Sequence, residues 1–224
     1  MSMITQPNYE TAATKALELL LDRNISKTPI NPLSLLLETK HVRVMSFSEF
    51  ADEIEIERHD LISKFGRNQD AATFSLASEM EDVKYVVVYN MHLPHVVLSR
   101  GIARELGHIV LGHDGATRPS DVRLAEAMCF AHNLMSPRPI IHMLQESGIP
   151  VTMNVLARTT GCSEECVDGI QLIPPVRTSP ELNKAVKDLF SKEISEYIQF
   201  HKASKKPDHS ALVDFGTFMD GYAE

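Results

Sequence analysis

Residues 103–113, ARELGHIVLGH, place a guanidinium, a carboxyl group and an imidazole close together on a predicted helix. In the metal-binding pattern HExxH, two histidines four residues apart hold one zinc ion, and the adjacent glutamate takes a proton from the metal-bound water. Here residues 104–108 read RELGH, so four of the five positions agree with HELGH. The mismatch, Arg104, falls on a metal ligand.

The helical spacing assigns each of these side chains to a face. Successive residues of a helix turn by about 100°, so His108 lies about 40° and Glu105 about 100° from Arg104. Apolar side chains gather on the other side together with His113. The pattern predicts a packed face that includes His113 and an open face that carries the arginine, the acid and the first imidazole.

A third zinc ligand usually comes from a later segment as a carboxylate or a histidine. Glu126, in LAEAMCFAHNLMSP, follows the last residue of RELGH by 18 positions, which suits two helices joined by a loop. Cys129, one turn later, is the best-placed substitute ligand, although a small cysteine there is more often a core residue. His113 is expected to be a packed histidine, and His92 and His95 lie two to three turns before the motif.

The elements that must position these residues are short strands and helices separated by turn-rich segments. TPINP, DGATRPSD and SPRP interrupt the helical patterns, and KYVVVY is the clearest strand because it is β-branched and aromatic. The predicted strands cover 41–47, 73–77 and 84–89. The predicted helices cover 9–24, 33–37, 48–51, 58–65, 96–112, 122–135, 142–146, 154–159, 163–172 and 180–202.

The composition restricts the class of protein. Of 224 residues, 43% are hydrophobic and 23% charged, which is ordinary for a soluble globular chain. The net charge of −8 argues against a broad nucleic-acid surface. No apolar run approaches the roughly 20 residues of a membrane helix, and MSMITQPNYE lacks the features of a secretory signal. With too few cysteines for a disulfide framework (Cys129, Cys162 and Cys166), we expect a cytoplasmic protein without membrane contact.

The C-terminal segment NVLARTTGCSEECVDGIQLI has the layout of a helix-turn-helix, with Gly161 in the turn. Its second predicted helix carries Glu164, Glu165 and Asp168, which would repel phosphates. The acidic charge favours a packing or protein-docking element over DNA binding. Cys162 and Cys166 have no further ligands near them in sequence, so a metal site is not expected there.

Taken together, five segments between about Asn31 and Pro137 resemble the ImmA/IrrE family of zincin-like metallopeptidases. They occur in the same order as in the family: INPLSLLLE, VRVMSFSEFAD, YVVVYN, IARELGHIVLGH and AEAMCFAHNLMSP. The resemblance implies an α+β, zincin-like fold in which a small mixed sheet packs on helices, here with additional C-terminal helices. Several members, associated with bacterial mobile elements or stress responses, cleave a DNA-binding repressor that contains a helix-turn-helix.

The resemblance also implies roles for individual residues. Glu105 matches the general base, His108 the second histidine ligand of zinc and Glu126 the carboxylate ligand. Arg104 matches the first histidine ligand and departs from it. The implied domains are 1–137 as the zincin-like domain with the N-terminal helices, 138–205 as a helical region and 206–224 as a flexible tail.

Arg104 changes the expected mechanism because a guanidinium has no lone pair and stays protonated, so it cannot bind zinc. We hypothesise that it replaces the metal electrostatically by pairing with Glu126 or Glu105. The protein would then be catalytically impaired and would act by binding a protein partner, such as a transcriptional repressor. The alternative is an active zinc metallopeptidase that cleaves a helix-turn-helix repressor with a substitute third ligand.

Overall fold

The computed structural model describes residues 6–57, 59–61, 70–76, 82–113, 119–161 and 176–204. The fold is of the α+β class, as the sequence predicts. Its elements are α1 (Tyr9–Asp22), α2 (Pro32–Leu37), β1 (Val42–Ser46), α3 (Phe47–Glu53), β2 (Ala71–Ser75), β3 (Tyr85–Tyr89), α4 (His95–Val110), α5 (Ser120–Met135), α6 (Arg138–Glu146), α7 (Met153–Thr160) and α8 (Pro180–Ser204). Cys162, Cys166, the predicted helix 163–172, most of 58–65 and the predicted tail 206–224 lie outside the described residues.

The three strands form a mixed sheet in the order β1-β3-β2. β1 runs parallel to β3 with Val44 opposite Val87, and β2 runs antiparallel to β3 with Thr73 opposite Val87. β2 covers 71–75 rather than the predicted 73–77 because its ladder ends where Ser75 meets Tyr85, the first residue of β3. The sheet thus brings β2 next to the clearest strand of the sequence.

The two faces of the sheet have different partners, because successive side chains of a strand point to opposite sides. Val86 and Val88 of β3 belong to a buried apolar cluster. Phe74 of β2 packs against that cluster, and its ring stacks on Phe50 at 5.5 Å. Residues of the opposite parity, including Thr73, face α4. The polar side chains of β2 therefore point at the helix that carries RELGH.

Local signals fix the ends of the elements around α4. The side chain of Asn31 caps α2, which packs against α4, and Ser46 and Glu49 form a capping box at the start of α3. α4 itself ends at Val110, and Gly112 has a φ of 64°, in the left-handed region that a glycine adopts without strain. The chain therefore leaves the helix direction before His113.

The described residues group into two compact units. The first contains Asn31–Ala127, and thus the sheet, α2 to α4 and the first half of α5. The second contains Asn8–Ile30 and the chain from Met128, and thus α1, the rest of α5 and α6 to α8. This division differs from the predicted boundary after residue 137, because α1 buries its apolar face and packs against α8.

α8 is the longest of the described helices and is amphipathic. Val186, Phe190 and Ile194 recur every four residues and are fully buried, which is the spacing of one helical stripe. Phe200, on a later turn, is 68% exposed. Within the described residues, no helix is sufficiently long and apolar to cross a membrane.

Candidate functional site

The residues of the RELGH segment lie on α4 in the first unit, facing the sheet. The side chains of Arg104 and Glu105 are only 17% and 6% exposed. The prediction that this face of the helix is open is therefore wrong. β2, which packs against α4, covers it with polar groups that the helical spacing alone does not reveal.

Arg104 forms a buried ion-pair cluster with two carboxylates. Its Nη2 donates to Asp70 Oδ1 at 2.8 Å and to Glu105 Oε1 at 2.7 Å, its Nε donates to Glu105 Oε1 at 3.0 Å, and its Nη1 reaches Asp70 Oδ2 at 3.3 Å. A further bond runs to the main-chain oxygen of Ala71. Of the two pairs hypothesised from the sequence, the one with Glu105 is present. The second carboxylate is Asp70, which sequence reasoning missed, and not Glu126.

Glu105 uses both of its carboxylate oxygens in this cluster. The hydroxyl of Thr73 donates to Oε2 at 2.7 Å, and Arg104 binds Oε1. Burial raises the pKa of Glu105 above its ordinary value, while the charge of Arg104 and the bond from Thr73 act in the opposite direction. The predicted general base is therefore a buried group whose two oxygens each already accept a hydrogen bond.

Asp70 reaches Arg104 only because residue 101 is a glycine. A Cβ built on Gly101 would lie 2.5 Å from Cγ and 2.8 Å from Cβ of Asp70. Asp70 is held from the other side by the amide of Ala71, which donates to Oδ1 at 2.8 Å. The missing side chain at residue 101 thus makes room for the second carboxylate.

Replacing Gly101 with alanine is expected to destabilise the protein by about 1–3 kcal/mol through overpacking. This sign is unusual, since Gly-to-Ala inside a helix ordinarily stabilises by up to about 1 kcal/mol. Urea unfolding measures the effect. In an Asp70→Gly background the penalty should largely vanish, because Cβ, Cγ and the carboxylate oxygens of residue 70 are all gone. An equal penalty in both backgrounds would refute the contact.

His113 occupies a different place from the one predicted. Its Nδ1 lies 2.9 Å from Nδ1 of His108, and its Nε2 lies 2.9 Å from Oε2 of Glu126. Its side chain is 2% exposed, so the prediction that His113 is buried is confirmed. The prediction that it points away from His108 is wrong. The rotation of 100° per residue holds only within the helix, and the helix ends at Val110, three residues before His113.

The hydrogen bonds define a chain from one helix to the next. A carboxylate of Glu126 can only accept, so we assign the proton on Nε2 of His113 to that bond. Nδ1 of His113 then accepts, and Nδ1 of His108 donates. His108 is neutral near pH 7, because burial and the nearby His113, Arg104 and Arg123 lower its pKa from 6.5 to about 4.

This lowered pKa makes stability depend on pH. In the unfolded chain His108 takes up a proton near pH 6.5, whereas in the folded chain it does so near pH 4. The unfolded state thus binds more protons between these values, and stability falls as the pH drops through that window. From pH 7 to pH 5 we expect His108 to contribute a loss of about 2 kcal/mol.

Urea unfolding at both pH values, compared between wild type and His108→Asn, measures this loss. The control is His59→Asn, which changes a histidine whose side chain is 78% exposed. The His108 variant should lose less stability on acidification than wild type, and the control should match wild type. Equal losses in all three proteins would contradict the assignment.

The donor set in this arrangement does not fit a zinc ion. Arg104 offers no lone pair, and the ring of His113 stands between His108 and Glu126, using one nitrogen toward each. The ligand atoms of a tetrahedral zinc lie within about 4 Å of one another. Among the residues that the structure describes, no group of three or more histidine, cysteine or acidic side chains is arranged to hold a metal.

The other substitute ligands lie in different surroundings. Cys129 is fully buried in the second unit, where its sulfur lies 3.5 Å from the main-chain oxygen of Tyr9 and from the amide nitrogen of Asn133. This is the environment of a core cysteine. His95 is the exposed first residue of α4, and His92 is exposed in the preceding turn.

A cleft of about 240 Å³ opens beside the two imidazoles in the first unit. Arg123 donates from Nη1 to the main-chain oxygen of His113 at 3.1 Å and so ties α5 to the end of α4. Leu124, 48% exposed, adds an apolar wall. The lining is otherwise polar, and its residues are Thr73, Ser75, Tyr85, His108, His113, Ser120, Arg123 and Leu124.

Comparison of the chain with family models, with curated proteins and with solved structures gave no match. The likeness of residues 31–137 to the ImmA/IrrE family therefore stays a prediction from the sequence motifs. Function is inferred from the geometry of the site.

Proposed function

We propose that this chain is a zincin-like protein of the ImmA/IrrE type that binds a protein partner without cleaving it. The partner class is a transcriptional regulator with a helix-turn-helix, as the motif resemblance implies. The single observation that carries the proposal is the buried cluster of Arg104 with Asp70 and Glu105. The guanidinium supplies the positive charge that a metal ion supplies in a peptidase.

Electrostatics favours a metal-free site. Arg104 stays protonated: burial opposes its charge, but Glu105 and Asp70 outweigh burial and raise its pKa. A unit charge about 4 Å from a dication costs roughly 8 kcal/mol at an effective dielectric of about 20. Moving Arg104 away would instead leave Asp70 and Glu105, both nearly inaccessible to solvent, without their cation.

The bonding of Glu105 favours a non-catalytic role. A general base must reach the water whose proton it accepts. Here Oε1 accepts from Arg104 and Oε2 accepts from Thr73. The side chain is also only 6% exposed, so water has little access to either oxygen. The cluster holds β2 against α4 and serves the architecture of the site.

The cleft next to the cluster supplies a surface for a polypeptide. Its hydroxyl groups and the imidazole of His108 offer hydrogen bonds to a main chain, and Leu124 offers apolar contact. Such mixed linings suit protein segments, whose main chain carries a donor and an acceptor at nearly every residue. We assign partner recognition to this cleft.

The alternative is an active zinc peptidase with His113 as the substitute ligand. The observation in its favour is that His108, His113 and Glu126 meet in one hydrogen-bonded chain, and two histidines with a glutamate are a known catalytic zinc set. It requires the His113–Glu126 bond to break and both side chains to turn. The present arrangement favours the metal-free account.

The proposal is tested by measuring binding and cleavage of candidate repressors on the same samples. Fluorescence anisotropy measures the binding, and intact-mass spectrometry detects any cleavage. We expect binding without cleavage. Leu124→Asp should weaken binding at least about tenfold, as truncation of a central interface contact does. The control Leu37→Asp changes a leucine that is 62% exposed and does not line the cleft, and it should bind as wild type does.

Two outcomes would overturn the proposal. Cleavage by the purified wild-type protein that disappears in Glu105→Gln would show that the site is catalytic. Equal loss of binding in Leu124→Asp and Leu37→Asp would show that the cleft is not the recognition surface.

A further inference from the structure

We propose that a groove between α6 and α8, in the second unit, binds the phosphate group of a small molecule. The groove has a volume of about 390 Å³, within the range of about 300–1,000 Å³ that is usual for small-ligand sites. It lies outside the candidate site described above and involves none of its residues. The proposal does not depend on the proposed function of the first unit.

The two helices give the groove a defined polarity. Lys187 Nζ and Glu146 Oε1, each two turns into its helix, form an ion pair at 2.6 Å. The first turns of both helices, at Arg138 and Pro180, also line the groove. The starts of α6 and α8 therefore lie away from this pair, and the positive ends of both helix dipoles point to that side.

Cations outnumber carboxylates along the groove. Three basic side chains line it, and of the two acids one is already paired with a lysine: the lining charges are Arg138, Lys184, Lys187, Glu146 and Asp188. The lining thus carries three cationic side chains against two carboxylates, whereas the whole chain has a net charge of −8. Arg138 stands between Pro137 and Pro139, which restrain its main chain at the start of α6.

The pKa of His142, which lines the groove, reflects the charges around it. His142 lies one turn after Arg138 on α6, between that residue and Glu146, and it faces α8. Burial lowers its pKa, and the positive charges of Lys187 and Arg138 lower it further, against the opposing effect of Glu146. The ring is therefore neutral beside these cations, and the remaining repulsion is among the cations themselves, which a bound anion would reduce.

The chemistry favours a phosphate on a small molecule. Arg138 presents a planar fork that matches phosphate geometry, and Lys184 presents a compact charge on the facing helix. A nucleic-acid backbone is disfavoured because it would have to approach an acidic chain over a far longer path. Arg138 and Lys184 lie at one end of the groove, and we assign one phosphate group of the ligand to that end.

Calorimetric titration of the 224-residue chain with inorganic pyrophosphate tests the proposal. NMR of the His142 ring, recorded on the same titration, reports whether the ligand enters this groove. We expect saturable binding that shifts the His142 signals. Arg138→Gln and Lys184→Gln should each weaken binding at least about tenfold, as expected for loss of one charge-assisted hydrogen bond. Lys202→Gln removes the same charge from the end of α8, outside the groove, and should leave the affinity within about twofold.

Each remaining outcome counts against the site. Absence of saturable binding, or binding without a shift of the His142 signals, would overturn it. Equal weakening by Lys202→Gln would show a general charge effect. Tighter binding of a duplex oligonucleotide than of pyrophosphate, at equal phosphate concentration, would show that a macromolecule is the ligand. Lys184 is exposed, so its variant keeps the test valid if Arg138→Gln perturbs folding.

Discussion

Replacing Arg104 with glutamine is expected to destabilise the protein by about 3–5 kcal/mol, the cost of removing one partner from a buried ion pair. Asp70 and Glu105 would remain, only 9% and 6% exposed as side chains, as like charges without a cation. Glutamine keeps much of the length and can donate hydrogen bonds, so the loss isolates the charge. Urea unfolding at pH 7, with the slope checked for two-state behaviour, measures it.

Two further variants separate the buried cluster from a general arginine effect. Arg43 also binds a carboxylate through two nitrogens, with Nη1 at 2.7 Å from Glu53, but its side chain is 50% exposed. Arg43→Gln should therefore cost no more than about 1 kcal/mol. Adding Asp70→Asn to Arg104→Gln should restore part of the loss. Similar costs for Arg104→Gln and Arg43→Gln would contradict the account.

Replacing Arg104 with histidine is expected to raise zinc affinity by at least about a thousandfold. The change removes a repulsion of roughly 8 kcal/mol and adds an imidazole at the missing ligand position, and only part of this gain is needed to offset the opening of the His113–Glu126 bond. Competition with a fluorescent chelator measures the affinity.

Arg104→Gln is the matched control for this gain, because it removes the cation without supplying a ligand. If charge alone kept zinc out, Gln and His variants would bind equally; we expect the His variant to bind far more tightly. No gain in Arg104→His, with the fold intact by circular dichroism, would mean that Arg104 does not stand at a vacated ligand position.

The elements around the site could be predicted from sequence because their signals are local. KYVVVY becomes β3, and the helices predicted at 96–112 and 122–135 become α4 and α5 with small shifts at their ends. Hydrophobic period, β-branched residues and turn residues are read over a few positions, so they need no knowledge of distant contacts.

The second partner of Arg104, Asp70, could not be predicted in the same way because it is 34 residues away in the chain. Its approach depends on the pairing of β2 with β3, a non-local contact that helical spacing does not contain. Gly101 was an available signal, since a bare position on a helix face permits close approach of another segment. From that glycine one could have predicted that a polar group of another segment packs against residue 101.

The place of His113 could have been foreseen from its neighbour. Gly112 directly precedes it, and glycine just after a helix commonly adopts the left-handed conformation that ends it. Counting 100° per residue is valid only to that point. His113 therefore turns back to His108 and Glu126, whereas a continued helix would have carried it to the packed side.

The zinc content of the wild-type protein bears most directly on the role of Arg104. The protein is equilibrated with an equimolar amount of zinc and passed through a desalting column, and its zinc is then measured by elemental mass spectrometry. If the guanidinium takes the place of the metal, the protein emerges without stoichiometric zinc while Arg104→His retains it. One tightly held zinc per wild-type chain, lost on changing His108 or Glu126, would contradict the account.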